Sequence, residues 1–371
     1  MSDSSPATPT REKPKLADEK TPLVRNCWYV AALSAEVTRE LKERTIADDT
    51  IVLYRASDRR AVALQNRCAH RSFPLSKGYL EGDSVVCGYH GLTYDPSGMC
   101  VRAPMLKAAP TYVRVQSYPV VERAPLVWIW MGDPKAADEA LIPEHGWLND
   151  SGWKSVGGYY HVGANYVPLH ENLLDLTHFT YLHADNIGTP EYVSAPFEVS
   201  TEGNRVRILR KVDNAAPPPI YGVPMKLEGK RVNRVSDSWF MSPAFHVAFA
   251  SIKNLEASPG ERTDFRVNIL HLLTPETQDT VHYFWFISRD FAFDEPAAGK
   301  WLKDSAMKAF QEDKDALEWI SELVRRERQR QFTETSFASD RAGLAMRKAI
   351  QAFADAEARR SIPISTSSAA A

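Results

Sequence analysis

Residues 66–94 read NRCAHRSFPLSKGYLEGDSVVCGYHGLTY, and they hold Cys68 with His70, then Cys87 with His90. The pattern is C-x-H, sixteen intervening residues, then C-x-x-H. Two thiolates and two imidazoles on paired short loops suit a [2Fe-2S] cluster in which histidines replace the cysteines on one iron, a change that raises the reduction potential. Cys68 and Cys87 are assigned to one iron, His70 and His90 to the other. Tetrahedral zinc is the rival, but zinc modules usually present a CxxC pair and then an HxxxH pair. Here each half supplies one ligand of each kind. Gly88, Tyr89 and Gly91 around the second pair fit a tight loop whose N–H groups can approach cluster sulfides.

The chain has 371 residues, enough for two domains of ordinary size. A formal net charge of -2 gives no sign of a nucleic-acid surface or of a polybasic membrane face. No apolar run reaches the length of a membrane span, and the first residues lack the pattern of a signal peptide. A cytoplasmic protein is the default expectation. The four cysteines are Cys27, Cys68, Cys87 and Cys100. A plant-type ferredoxin module would need four thiolates of its own, and Cys27 and Cys100 cannot supply them. No GxGxxG marks a nicotinamide or flavin site. Electrons are therefore expected from a separate ferredoxin or reductase.

Outward from the motif, residues 1–21 are polar and read as a disordered tail. Residues 22–135 show short runs such as TIVLYR, AVALQN and LVWIWM between turns, the pattern of a small all-β domain. Residues 136–152 carry Pro143 and Gly146 and read as a linker. The second domain is set at 153–345, with a helix from about Pro168 to Leu182, strands between 195 and 290, and a long amphipathic helix from 297 to 331. Residues 346–371 complete a last helix and a tail. Strands with segregated helices give the α+β class.

Asn172, Asp175 and His178 are spaced to share a helical face, and His183 follows five residues after His178. On a regular helix that spacing separates the two imidazoles by about 140°. Two ligands to one metal then require the helix to end or distort before His183, and a π-bulge is one such device. Two histidines and a carboxylate on one face of Fe(II) leave positions open for O2. Asp175 suits a supporting role better than direct ligation. The carboxylate is sought among Glu312, Asp313, Asp315 and Glu318. Asp313 is favoured over Asp315, because it falls in the apolar stripe with Phe310 and Leu317.

Together these motifs, with the phrases VRNCWYVAAL, CGYHGLTYD, YPVVERAPLVWIWMGDP, HLLTPET and EDK, resemble the Rieske non-heme iron oxygenases. The match is narrowest to the oxygenase components that dealkylate aromatic ethers and amides, of the vanillate demethylase and dicamba monooxygenase kind. The resemblance implies a second domain of helix-grip type, and His178, His183 and Asp313 as ligands of a mononuclear iron. It implies O2 as cosubstrate, a small aromatic substrate and a homotrimer. In that ring, electrons leave His70 or His90 of one subunit and pass through Asp175 of the next to His178. It also puts His271 against the substrate. Phe240 and Met241 stand where an amide-bearing side chain would be expected, which opens the way to a neutral anilide instead of an acidic aromatic. A ring cis-dihydroxylating dioxygenase is the alternative enzyme. A plain electron carrier is the alternative class, against which the extra 200 or so residues argue.

Overall fold

The structure, a computed structural model, describes residues 15–327, 330 and 334–361. The tail expected at 1–21 thus lies outside the described residues as far as residue 14, as does the tail expected from 362 onward. Residues 15–21 pack on the molecule: Ala17 is fully buried, and the Thr21 hydroxyl donates to Gln351 Oε1 at 3.2 Å.

The first domain is built from strands. They are β1 (Trp28–Leu33), β2 (Lys42–Ile46), β3 (Asp49–Arg55), β4 (Ala61–Gln65) and β5 (Tyr79–Glu81). There follow β6 (Ser84–Val86), β7 (Thr93–Tyr94), β8 (Cys100–Arg102), β9 (Val120–Arg123) and β10 (Leu126–Trp130). Three small antiparallel sheets result, in orders β1-β10-β9, β2-β3-β4 and β5-β6-β7-β8. The continuous apolar run of β3 has a packing reason. Ile51 and Leu53 enter one core while Val52 and Tyr54 enter another, so both faces of the strand are covered.

The second domain begins with β11 (Lys154–Val162) and α1 (Tyr166–Leu174). It continues with β12 (Phe197–Glu202), β13 (Arg205–Ala215), α2 (Pro219–Met225), β14 (Val232–Ser242), β15 (Phe245–Asn254), β16 (Asp264–Pro275) and β17 (Val281–Arg289). The helices α3 (Pro296–Arg326) and α4 (Arg341–Ser361) close the described chain. The seven strands form one antiparallel sheet in order β11-β17-β16-β15-β14-β13-β12. The long helix α3 lies on its inner face and buries Leu302, Ala306, Ala309, Phe310, Asp313 and Leu317, the stripe of an amphipathic helix. Phe310 meets the rings of Trp285 at 5.3 Å, His271 at 5.5 Å and Tyr283 at 5.8 Å.

The outer face of this sheet is covered by the first domain. Trp28, Val30, Trp128 and Trp130 of β1 and β10 pack on Phe245, Val247, Leu270, Leu272 and Phe284. The Thr274 hydroxyl donates to the Val30 carbonyl at 2.9 Å across the same boundary. No described helix is long and apolar enough to cross a membrane.

Two elements differ from the sequence expectation. The helix expected from Pro168 to Leu182 stops at Leu174, after starting on an Asn165 cap. Asp175 leaves helical geometry at φ −90° and ψ 96°, and a short 3-10 turn covers Leu176–Thr180. No π-bulge forms. Asn172, Asp175 and His178 therefore do not share one helical face. The cause is local: Asp175 Oδ1 accepts from the Thr177 amide at 3.0 Å and from its hydroxyl at 2.6 Å, and such bonds compete with the helix ladder. The second difference is β14, a full central strand that the sequence reading did not identify.

Candidate active site

The loops after β4 and β6 carry the first set of ligand-type residues. They have the same backbone plan. The Cys68 amide donates to Phe73 O, and the Ser72 amide donates back to Cys68 O. The Cys87 amide donates to Leu92 O, and the Gly91 amide donates back to Cys87 O. The fourth residue after each cysteine turns with positive φ: Ser72 at 57° and Gly91 at 71°. Glycine meets that demand without a steric penalty at the second loop. Both thiols are buried, whereas His70 and His90 are exposed with ring centroids 4.7 Å apart. The two loops thus present two inner sulfurs and two outer imidazoles, an arrangement that fits a cluster with its histidine iron at the surface. Burial raises the Cys87 pKa most, the neighbouring Cys68 thiol adds to the rise, and backbone bonds from Tyr89 and His90 oppose it. A bound cation would favour both thiolates.

The second set meets beneath the inner face of the large sheet. His178 comes from the 3-10 turn after α1, His183 from the loop that follows, and Asp313 from α3. One ligand atom of each lies within 4.8 Å of the other two. His183 Nε2 is 3.1 Å from Asp313 Oδ1, and His178 Nε2 is 3.4 Å from the same oxygen. The remaining ring nitrogens are tied elsewhere. His178 Nδ1 donates to the Asp175 carbonyl, and His183 Nδ1 donates to Glu312 Oε2 at 2.7 Å. A carbonyl accepts only from N–H, so the Nε2 lone pair of neutral His178 is turned toward Asp313. That Nε2 is buried and has no directed hydrogen-bond partner. Asn172 Nδ2 donates to Asp313 Oδ1 at 2.9 Å, which fixes the carboxylate.

The electrostatics fit a cation at this point. Burial raises the pKa of Asp313, but the neighbouring imidazoles of His178 and His183 outweigh it and hold the carboxyl well below its usual range. Burial disfavours a charge on His183, yet Asp313 and then Glu312 outweigh it and raise its pKa. The same carboxylates that favour a proton on His183 would favour a metal ion in its place. The buried unpartnered nitrogen, the converging imidazoles and the carboxylate are the donor set that suits non-heme Fe(II).

Above these residues opens a concave, mostly enclosed cavity. Its wall is mostly apolar, with Leu173, Ile187, Ile220, Val267, Ile269 and Phe310 among the residues. His271 lines it, as do Asn172, His178, His183 and Asp313. Phe240 and Met241 do not line it; Phe240 packs against His170 at 4.9 Å, while Ala248 and Ala250 stand on the wall. One lining residue has no counterpart in the sequence expectations. Arg234 lines the cavity 4 % exposed, between the rings of Tyr192 at 4.5 Å and Tyr221 at 5.2 Å. Among the described residues no carboxylate pairs with it, and its Nη1 donates to Ile187 O at 2.9 Å. Glu312 was weighed as a ligand; it instead meets the far side of His183. Asp315 bonds to Gln311 and Glu318 to the Gly163 amide, both away from the cavity.

Residues 27–119 match the Rieske [2Fe-2S] domain, and residues 162–356 match the vanillate O-demethylase oxygenase C-terminal domain. Geometry and family matches agree on the class: this is a Rieske oxygenase, with a [2Fe-2S] cluster in the first domain, a non-heme iron in the second, and O2 as cosubstrate. The chain is 36% identical to the oxygenase component of dicamba O-demethylase of Stenotrophomonas maltophilia, over 84% of this chain and 91% of that one. It is 38% identical to the iron-sulfur subunit of the toluene-4-sulfonate monooxygenase system of Comamonas testosteroni, over 80% and 87%. It is 30% identical to the oxygenase component of chloroacetanilide N-alkylformylase of Rhizorhabdus wittichii, over 91% and 97%. The crystal structure of dicamba monooxygenase bound to 3,6-dichlorosalicylic acid superposes with a TM-score of 0.85 at 33% identity, covering 91% of this chain and 99% of that one. The chain belongs to the vanillate O-demethylase oxygenase family and is the oxygenase component of a Rieske monooxygenase, one part of a system whose electrons come from a separate protein.

Proposed function

We propose that the chain hydroxylates, and so dealkylates, a small aromatic compound bearing an O-alkyl or N-alkyl group. Cys68 and Cys87 hold one iron of the cluster, and His70 and His90 hold the other. His178, His183 and Asp313 hold the mononuclear iron, and Asn172 steadies Asp313. When bound, the two centres together supply two electrons and activate O2 for attack on a C–H bond. For a methyl ether the balance is R–O–CH3 + O2 + 2 e⁻ + 2 H⁺ giving R–OH + HCHO + H2O. The cavity wall orients the aromatic ring and excludes water, so that its alkyl group faces the His178–His183–Asp313 side. The observation that carries this reading is the placement of those three residues at one side of an apolar cavity.

The working unit is a homotrimer in which the cluster of one chain serves the iron of the next. The exposed rims support this: Tyr89 beside His90 is 60% exposed, and Tyr181 between the two iron histidines is 75% exposed. Asp175 Oδ2 makes no hydrogen bond within the described chain, so this carboxylate is available to accept one from a neighbour's His70 or His90. A cytoplasmic location accords with four free, buried cysteines.

The test combines metal analysis with a screen of methoxy- and N-alkyl-aromatics, scored by aldehyde release with a surrogate reductase. Wild-type protein is expected to hold about three irons per chain, two of them in the cluster. His178→Ala is expected to keep the cluster's visible absorption, lose about one iron and lose turnover. Turnover at the wild-type rate in that variant would defeat the assignment of His178.

A further inference from the structure

His271 reaches the cavity from β16, and one of its ring nitrogens is already committed. Its Nδ1 lies 2.6 Å from the hydroxyl of Tyr283, on the neighbouring strand β17. Both side chains are buried, Tyr283 at 2 % exposure and His271 at 5 %. Tyr283 has no other hydrogen-bond partner within the described chain. His271 Nε2 makes no bond within it either, and it is not among the sealed, unpartnered atoms, in contrast to His246 Nδ1. The free nitrogen of His271 therefore opens on the cavity that the ring lines.

The hydrogen bond between them could run either way, but the accounting separates the two directions. If His271 Nδ1–H donated, the phenol would hold a buried proton with nowhere to place it, and the Nε2 lone pair would face the cavity. If the phenol donates, its proton is satisfied and the only loss is an acceptor site on the tyrosine oxygen. An unmade buried donor costs about 1–3 kcal/mol, so the second direction wins. We infer that Tyr283 donates its O–H to His271 Nδ1 and thereby holds His271 in the tautomer that presents Nε2–H to the cavity. Tyr283 is a positioning residue: it touches no substrate, yet it decides whether the substrate meets a donor or an acceptor.

The inference rests on the functional reading above for its consequence, though not for its geometry. Burial keeps His271 neutral by driving its pKa down to about 3, and Asp313 opposes only in part. A neutral, fixed N–H selects a substrate that places an acceptor oxygen at this wall, such as a carboxylate, sulfonate or amide carbonyl. Arg234 and Ser236 also line the cavity, but two other polar groups of the wall are committed elsewhere. Ser238 donates to Leu173 O at 3.2 Å and accepts from His246 Nε2 at 2.7 Å, and Asn172 Nδ2 is spent on Asp313.

Two measurements test it. Neutron diffraction from crystals of the holoenzyme locates the deuterons directly. The expected map has a deuteron on His271 Nε2 and none on Nδ1; a deuteron on Nδ1 would overturn the inference, whatever the substrate proves to be. Steady-state kinetics then compares wild type with Tyr283→Phe on a methoxybenzoate and on the matching methoxytoluene, which lacks the acceptor. The variant is expected to raise KM for the acid about tenfold, the factor of one hydrogen bond to a charged group, and to leave KM for the toluene and both kcat values within about twofold. An equal rise in KM for both compounds would show a merely structural role and sink the proposal. Should no aromatic ether be turned over by wild type, the dealkylase reading fails, while the neutron map still decides the tautomer.

Discussion

Glu312 and Asp313 are neighbours on one helix, yet they stand on opposite sides of the same imidazole. Asp313 faces Nε2 of His183 and Glu312 accepts from its Nδ1. A carboxylate behind a ligand histidine fixes the ring and makes it more basic, and its loss typically costs 10–100-fold in metal affinity or activity, by rough comparison with other metal sites. Glu312→Ala is therefore expected to weaken retention of the mononuclear iron by about that factor, read as the chelator concentration that removes it. The cluster absorption should stay, since Glu312 is on α3 and the cluster loops are in the other domain. Equal loss of both centres would refute this role. The buried place of Asp313 on α3 was legible, because it falls inside the apolar stripe of that helix. Glu312 was legible only as a candidate, since a chain read one position at a time does not show which side of an imidazole a carboxylate will meet. Arg234 was not legible at all: an arginine that follows the polar run of Lys230, Arg231 and Asn233 reads as surface.

The strand that carries Arg234 shows why an element can be hidden. Along β14 the inward positions are Val232, Arg234, Ser236, Ser238 and Phe240. The alternation that marks a strand is present, but its inner face is polar where it borders the cavity, so hydrophobic periodicity misses it. The end of α1 is a second case. The spacing of His178 and His183 called for a break, and the break is at Asp175, made by its own side chain. This ties two jobs to one residue and separates them by experiment. In Asp175→Asn the amide oxygen can still accept from Thr177, so the cap survives and only the charge is lost. In Asp175→Ala the cap goes as well, at a cost of about 1 kcal/mol. Asn should thus leave thermal stability and iron content near wild type and slow re-oxidation of the reduced cluster by more than tenfold, whereas Ala should also lower the melting temperature. An unchanged re-oxidation rate in the Asn variant would remove Asp175 from the electron path.

At the scale of the whole molecule the two domains share a packed boundary, and one histidine there couples their stability to pH. His282 of β17 has Nε2 3.1 Å from the Thr45 carbonyl of β2 and Nδ1 2.8 Å from the Tyr159 hydroxyl. Arg44 approaches the same Nδ1 at 3.5 Å, and Glu276 lies 3.8 Å from Nε2. Burial is the main reason that the pKa of His282 falls to about 4, Arg44 lowers it further, and Glu276 opposes. His170, buried in the second domain, is likewise lowered to about 4, again by burial. In the unfolded chain these rings bind protons near pH 6.5. Between pH 6.5 and 4 the unfolded state therefore holds more protons than the folded state, and stability falls as the pH falls. Above about 6.5 the contribution of both rings is fully present; below about 4 both states are protonated and nothing more is lost. Urea midpoints measured with the cluster intact are expected to drop between pH 7.5 and 5. His282→Gln should be less stable at pH 7.5, because the Tyr159 and Thr45 bonds are weakened, but its midpoint should change less with pH by the share of one proton. A wild-type midpoint that is flat from pH 7.5 to 5, or a His282→Gln slope equal to the wild-type slope, would exclude this boundary as a source of acid sensitivity. The sequence shows His282 only as a polar residue in an apolar strand, because its partners Thr45 and Arg44 lie more than two hundred residues away in the other domain.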